Sequence, residues 1–226
     1  DASHAIGGSY QNQPVGCCQY SDITIFSFHP VKIITSAEGG MALTNSDSLA
    51  IAMRRLRSHG IVSTEEEMTQ PSDGPWYYQQ ISLGFNYRMT ELQAALGVSQ
   101  LSRLEEFVAK RNQLAKVYDE AFANTALTPL TPKSDAVSAF HLYILILPYD
   151  NAEKHQVFVS ALREKGICGH VHYIPIHLQP FYHSMGFKPG DFPVAEQYYL
   201  NAVSIPLFPD LTSKDQQYII DTIKSM

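Results

Sequence analysis

Ile25-Phe26-Ser27-Phe28-His29-Pro30-Val31-Lys32-Ile33-Ile34 is the stretch on which the fold turns. Ile23 to Phe28 is rich in β-branched and aromatic residues and reads as a buried strand. Lys32 follows it with an apolar neighbour on each side. An ammonium group in such a place is costly to desolvate. Burial lowers its pKa and frees the amine as a nucleophile, which a Schiff-base lysine needs. Most lysines at a strand end simply lay their stem along apolar surface and keep the head wet, so the neighbours decide. Downstream, Ala37-Glu38-Gly39-Gly40-Met41 reads as a tight loop leading into a second short strand, Met41 to Thr44. Upstream, the chain opens on Asp1-Ala2-Ser3-His4, an acid and an imidazole within four positions.

Bulk properties narrow the class. The chain has 226 residues, 45% hydrophobic and 17% charged, enough apolar material for a packed core in one large or two modest domains. Net charge is −6 with no basic stretch, so nucleic-acid binding is not expected. No apolar run reaches the length of a membrane span, and no secretory leader opens the chain. Three cysteines, Cys17, Cys18 and Cys168, do not make a disulfide framework. These features predict a cytoplasmic protein.

Along the chain, Ser48 to His59 reads as a helix with Leu49, Met53 and Leu56 on one face and Gly60 as its stop. Val62 to Tyr78 reads as a long loop. Thr90-Glu91-Leu92-Gln93 is a capping-box pattern. It predicts one long helix as far as Asn124, with Leu92, Leu96, Leu104, Val108, Ala115 and Phe122 as its buried stripe. The prolines of the 128–133 segment mark a boundary, giving domains 1–126 and 127–226. The second half alternates: a strand from Phe140 to Leu147, a helix from Asn151 to Lys165 capped by Asp150, a strand from Cys168 to Tyr173, a helix from Phe192 to Asn201, and a last helix opened by Ser213 with Ile219, Ile220 and Ile223 inward. This reads as a small α/β domain.

Four motifs stand in order: Asp1-Ala2-Ser3-His4-Ala5-Ile6-Gly7, Phe26-Ser27-Phe28-His29-Pro30-Val31-Lys32, Ala37-Glu38-Gly39-Gly40 and Gly84-Phe85-Asn86-Tyr87-Arg88-Met89. Together they resemble the DegT/DnrJ/StrS nucleotide-sugar aminotransferases, and the likeness runs to Pro206-Leu207-Phe208-Pro209. The resemblance implies an α/β pyridoxal-phosphate-dependent transferase of the aspartate aminotransferase type, fold type I, represented by part of the large domain plus the small domain. It implies Lys32 as the lysine joined to pyridoxal 5'-phosphate and as the proton shuttle. It implies Asp1 against the pyridinium nitrogen, His4 against the phenolic oxygen, and Ser27 on the phosphate. Asn86 would reach the phosphate of a neighbouring subunit, making the active site a property of a homodimer. Arg88, His172, Tyr173 and His177 are implied as substrate contacts. Each has an ordinary structural role open to it as well: a loop aspartate, a core histidine, a strand serine, a surface ion pair. His172-Tyr173-Ile174-Pro175-Ile176-His177 resembles the branch that aminates UDP-linked 4-keto-6-deoxy-N-acetyl sugars in pseudaminic acid synthesis, with glutamate as a donor. Family members carry a substantial segment ahead of the first motif, so the chain is expected to be a fragment that binds the cofactor weakly by itself.

Three rivals follow from the same residues. A sugar dehydratase of this family has histidine at the Lys32 position, so Lys32 argues against it. His170, His172 and His177 could instead build a metal-dependent hydrolase, since His-x-His on a strand puts both rings on one face. No carboxylate motif supports that, and no metal is expected. The third is a non-catalytic dimerising piece.

Overall fold

The computed structural model describes residues 1–149 and 151–226. The chain forms two compact units, Asp1–Leu104 and Glu105–Met226.

The first unit is made of short hairpins and two helices. β1 (Ser9–Tyr10) and β2 (Gln13–Pro14) are joined by Gln11 and Asn12, both at positive φ, as a two-residue hairpin turn requires. β3 (Thr24–Ser27) pairs antiparallel with β4 (Gly40–Leu43), Ser27 opposite Gly40. Thr24 and Phe26 point inward while Ile25 is exposed, the period-2 pattern of a half-buried strand. A Cβ at Gly40 would stand 2.7 Å from the Phe26 carbonyl oxygen, so only glycine lets the two strands close here. α1 (Asp47–Arg57) is capped by Ser46, whose hydroxyl accepts from the Leu49 amide at 3.4 Å. Asp47 in its first turn and Arg54, Arg55 and Arg57 in its last suit the helix dipole. β5 (Ile61–Val62) and β6 (Gln79–Gln80) pair across the 63–78 loop. That loop is tied down by the Arg55–Glu67 ion pair at 3.0 Å and by the Gln79 amide, which accepts from the Thr69 amide and donates to the Gln70 carbonyl. α2 (Glu91–Leu101) carries the expected Thr90/Gln93 capping box.

The single long helix is not what forms. α2 stops at Leu101, and α3 begins at Leu104 and runs to Phe122. The Arg103 amide bonds to the Gln100 carbonyl, and the Ser102 hydroxyl takes the Ser99 carbonyl. This local competition from serine tightens and ends the turn. The expected stripe holds at Ala115 and Phe122 but fails in its first half: Leu92 and Leu96 are exposed, and α2 has no buried residue. The buried positions lie on α3, at Phe107, Arg111, Ala115, Tyr118 and Phe122, spaced by three and four as one helix face demands. Ala115, Tyr118 and Phe122 belong to the core of the second half, and the compact units divide after residue 104.

The second unit holds β7 (Thr128–Pro129), β8 (Ala136–Val137), β9 (Tyr143–Ile146), α4 (Ala152–Glu164), a 3₁₀ turn at Ile176–Leu178, α5 (Pro180–His183), α6 (Pro193–Asn201), β10 (Ala202–Ile205) and α7 (Ser213–Lys224). A three-stranded antiparallel sheet runs in the order β10-β9-β7. Tyr143, Leu145, Leu147, Phe158, Leu162, Val203, Ile205 and the inward isoleucines of α7 pack with the α3 stripe into one core. Arg111, 5% exposed, donates to the carbonyls of Phe140, His141 and Leu207 from that stripe, and its burial holds its pKa below the ordinary arginine value.

The strand expected over 140–147 is confined to Tyr143–Ile146, and the one expected over 168–173 is reduced to a single bridge between His170 and Ser204. The α4 cap is Asn151, whose side chain accepts from the Lys154 amide at 2.9 Å; Asp150 lies outside the described residues. β10, buried along its whole length, has no forerunner in the sequence reading.

Candidate active site

Lys32 sits in a turn after β3. Its amide donates to the His29 carbonyl at 2.9 Å, and the Ser36 amide returns to the Phe28 carbonyl at 3.0 Å. The chain therefore folds back on itself between the strand and Gly39, and the Phe28 amide closes the loop on the Gly39 carbonyl at 2.8 Å. Of the two apolar flanks, Ile33 is buried, but Val31 is 63% exposed. The expected apolar wall therefore stands on one side only, because the backbone turns at Pro30 rather than continuing as a strand. Burial still lowers the Lys32 pKa from the ordinary lysine value.

The opening segment is fastened to the same hairpin. The Ala2 amide donates to the Ile25 carbonyl of β3 at 2.9 Å, and Asp1 accepts from the Ser3 amide at 2.8 Å. His4 is thereby brought beside Lys32. Its pKa is lowered, first by burial and then by the positive charge of Lys32. The Lys32 charge disfavours protonation of His4, while the Lys32 shift itself comes from burial. Ser27, half-buried at the end of β3, accepts from the His29 amide at 3.5 Å. Lys32, His4, Asp1 and Ser27 thus all hang on one hairpin.

Asn86 is carried differently. The Phe85 amide donates to the Leu56 carbonyl at 2.7 Å and the Tyr87 amide to the Arg57 carbonyl at 2.9 Å, so the 85–87 segment is pinned to the end of α1. Ser58 and Asn86 form a bridge, and the Phe85 and Tyr87 rings stack at 4.9 Å. Gly60 is at φ 68, where a Cβ would stand 2.0 Å from the Ser82 carbonyl oxygen. A Cβ on Gly84 would stand 2.1 Å from the Gly60 nitrogen. Two bare backbones in contact set the edge from which Asn86 and Arg88 project, both exposed.

In the second unit, His170 and His172 lie with their rings 5.5 Å apart, and Tyr173 meets His172 edge-on at 4.7 Å. His177 does not join them. It is 7% exposed, and its Nε2 is 2.7 Å from the Glu196 carboxylate. Glu196 also accepts from the Gly190 amide at 2.8 Å. Glu196 therefore ties His177 into the 176–196 segment. Sequence reasoning missed Glu196, a surface-type residue in a helix first turn that gives no signal of what it binds. Among the described residues, no group of three or more His, Cys, Asp and Glu is placed to hold a metal ion. Nor is any described helix long and apolar enough to cross a membrane.

An amine, an imidazole, a carboxylate and a hydroxyl on one glycine-closed hairpin make a site for carbonyl chemistry at a nitrogen nucleophile. Comparison with known proteins agrees. The chain belongs to the DegT/DnrJ/EryC1/StrS aminotransferase family, whose model matches residues 1–224. It is 35% identical over its whole length to the UDP-4-amino-4,6-dideoxy-N-acetyl-beta-L-altrosamine transaminase of Campylobacter jejuni, covering 57% of that protein. Among solved structures it superposes on the PMP form of the Streptococcus pneumoniae protein Spr1654 with a TM-score of 0.91 at 31% identity, over all of this chain and 57% of that one. It superposes on Helicobacter pylori PseC, an aminotransferase involved in the biosynthesis of pseudoaminic acid, with a TM-score of 0.89 at 32% identity, over all of this chain and 58% of that one. The chain spans just over half the length of the curated relatives it matches. The α/β transferase fold expected from the motifs is the fold of these structures.

Proposed function

We propose that the protein containing this chain is a pyridoxal-phosphate-dependent aminotransferase that places an amino group on a keto nucleotide sugar. The observation that carries this reading is the pairing of Lys32 with His4 on the β3–β4 hairpin. The residues fit the cofactor: an amine and an imidazole whose pKa values are both lowered, an acid on the adjoining segment and a hydroxyl at the strand end. When bound, pyridoxal phosphate supplies the electron sink for moving an amine between two carbon skeletons. Lys32 provides the nucleophilic nitrogen and, released from that role, holds and moves the proton at the reacting carbon. Its lowered pKa brings it toward the range where a general base is effective. Asp1 would pair with the pyridinium N–H, His4 would lie against the phenolic oxygen, and the Ser27 hydroxyl would donate to the phosphate.

Asn86, exposed on its rigid edge, reaches the phosphate of a second subunit in a homodimer. Arg88 meets an anionic group of the ligand, while His172 and Tyr173 contact the sugar. The names of the relatives support a UDP-linked deoxy-N-acetyl sugar as the substrate and pseudaminic acid synthesis as the setting; a 4-keto acceptor, glutamate as amino donor and the cytoplasm as location complete the proposal.

The test is covalent. The complete gene product is loaded with pyridoxal phosphate, reduced with borohydride and digested, and the modified peptide is mapped. The expected result is one label, on Lys32. A label on another residue, or none, removes the proposal.

A further inference from the structure

β10 holds one polar residue in an otherwise apolar strand, Ala202-Val203-Ser204-Ile205. Val203 and Ile205 face the core, which leaves Ala202 and Ser204 on the other side of the sheet. Ser204 is 5% exposed, and a hydroxyl buried that deeply needs a partner. Its partner is the Nδ1 atom of His172, at 2.8 Å.

Ser204 is itself fixed by backbone bonds in both directions. Its amide donates to the His170 carbonyl at 2.7 Å, and its carbonyl accepts from the His170 amide at 3.0 Å. Next to it, the Ala202 carbonyl is engaged by Nε2 of the buried His155 at 3.0 Å. The free edge of β10 is therefore occupied by histidines from two elements. The Ser204 backbone, from which the hydroxyl projects, cannot shift without breaking the bridge to His170.

We infer that Ser204 is a positioning residue: its hydroxyl sets the ring plane and the proton placement of His172, and so the way His172 meets the sugar. Which imidazole nitrogen carries the proton is decided by the bond that the other one makes. A hydroxyl fixed from the buried strand holds Nδ1 in one such bond, and the Tyr173 ring against His172 limits rotation out of it. The second clause of this inference rests on the reading of His172 as a substrate contact; the first does not.

The experiment separates the two. The complete gene product is labelled with ¹⁵N-histidine, and the His172 ring signals are assigned with His172→Gln. Ser204→Ala, which removes the hydroxyl, and Ser204→Thr, which keeps it, are compared with the unaltered protein. Ser204→Ala is expected to change the His172 tautomer pattern and its titration midpoint, and Ser204→Thr to restore both. KM for the nucleotide sugar is expected to rise about 5- to 10-fold in Ser204→Ala, the value of one hydrogen bond, with kcat kept within about twofold. Unchanged His172 ring signals in Ser204→Ala overturn the positioning role. Altered ring signals with an unaltered KM uphold that role and remove His172 from the substrate contacts. Should Ser204→Ala not fold, Ser204→Cys, a poor hydrogen-bonding partner of similar size, gives the same readings.

Discussion

The two units of this chain are held together by different means. The second has a continuous apolar core built from α3, the β9–β10 pair, α4 and α7, in which Tyr118, Leu145, Leu162 and Val203 are fully buried. The first buries only a few apolar side chains, among them Phe26, Phe28, Ile33, Ile34 and Val62, and neither α1 nor α2 buries any residue. Its order comes from turns, caps and backbone bonds that pin short hairpins together. The difference teaches where each kind of residue is spent. Packing builds the second unit. In the first, geometry that brings polar groups together takes precedence, and those groups include Lys32 and His4.

The largest test of this division exchanges one residue in each unit within the complete gene product. Lys32→Ala removes a base and nucleophile from a site that contributes little packing. We expect transamination to fall by about 10²- to 10⁴-fold or more, the range for losing a positioned proton-transfer group, with the unfolding midpoint nearly unmoved. Leu145→Ala does the reverse. It leaves the chemistry alone and costs about 2–5 kcal/mol by urea unfolding, because a fully buried leucine leaves a cavity. Leu92→Ala, at an 86% exposed position on α2, should shift the unfolding of this chain by less than about 0.5 kcal/mol. If Leu92 and Leu145 cost the same, the contrast between the units is wrong.

A smaller test probes polar order inside the packed unit. The Tyr143 hydroxyl donates to Asp119 at 2.7 Å. Burial, followed by that bond and the Asp119 charge, pushes the phenol pKa well above its ordinary value. Tyr143 therefore stays a donor at every pH the protein tolerates. Tyr143→Phe leaves Asp119 without that donor and should cost about 1–2 kcal/mol. A cost near zero would show that Asp119 turns to solvent instead.

The same division explains what could be read in advance. Periodicity found α7 and its inward isoleucines, because a helix face against a core leaves a 3.6-residue imprint; α4 and α6 were legible from their end signals, a cap for one and Pro193 for the other. Periodicity misled at α2: Leu92 and Leu96 look like core positions, yet this chain leaves both exposed. It also missed β10, four residues long and following α6 without a loop, whose serine breaks the apolar run. The Lys32 hairpin was legible in a different way, through residue types at fixed separations: a lysine after a strand, then two glycines, then a second strand. What no pattern could reveal was which side chains meet. His177 stands in a row of histidines and tyrosine, and nothing in that row shows that it bonds to a carboxylate nineteen residues later.

That carboxylate supplies the finest test, because it is a place where the packed unit relies on the first unit's means. Glu196 gathers His177 and the Gly190 and Phe192 amides around one side chain, closing a loop whose apolar residues Phe181, Met185 and Val194 are exposed. The bond to His177, then the Gly190 amide, lowers its pKa below the ordinary glutamate value. A depressed carboxylate stabilises the folded state once pH exceeds the unfolded-state pKa, and that stability is lost as pH falls through the folded-state pKa. Urea midpoints should therefore fall on acidification below about pH 4.5. Glu196→Gln keeps an acceptor for the amides but cannot titrate, so its midpoint should start lower at neutral pH and decline less steeply with acid. Parallel curves for the two proteins would mean that apolar contacts hold this loop after all, and that the second unit is built by packing throughout.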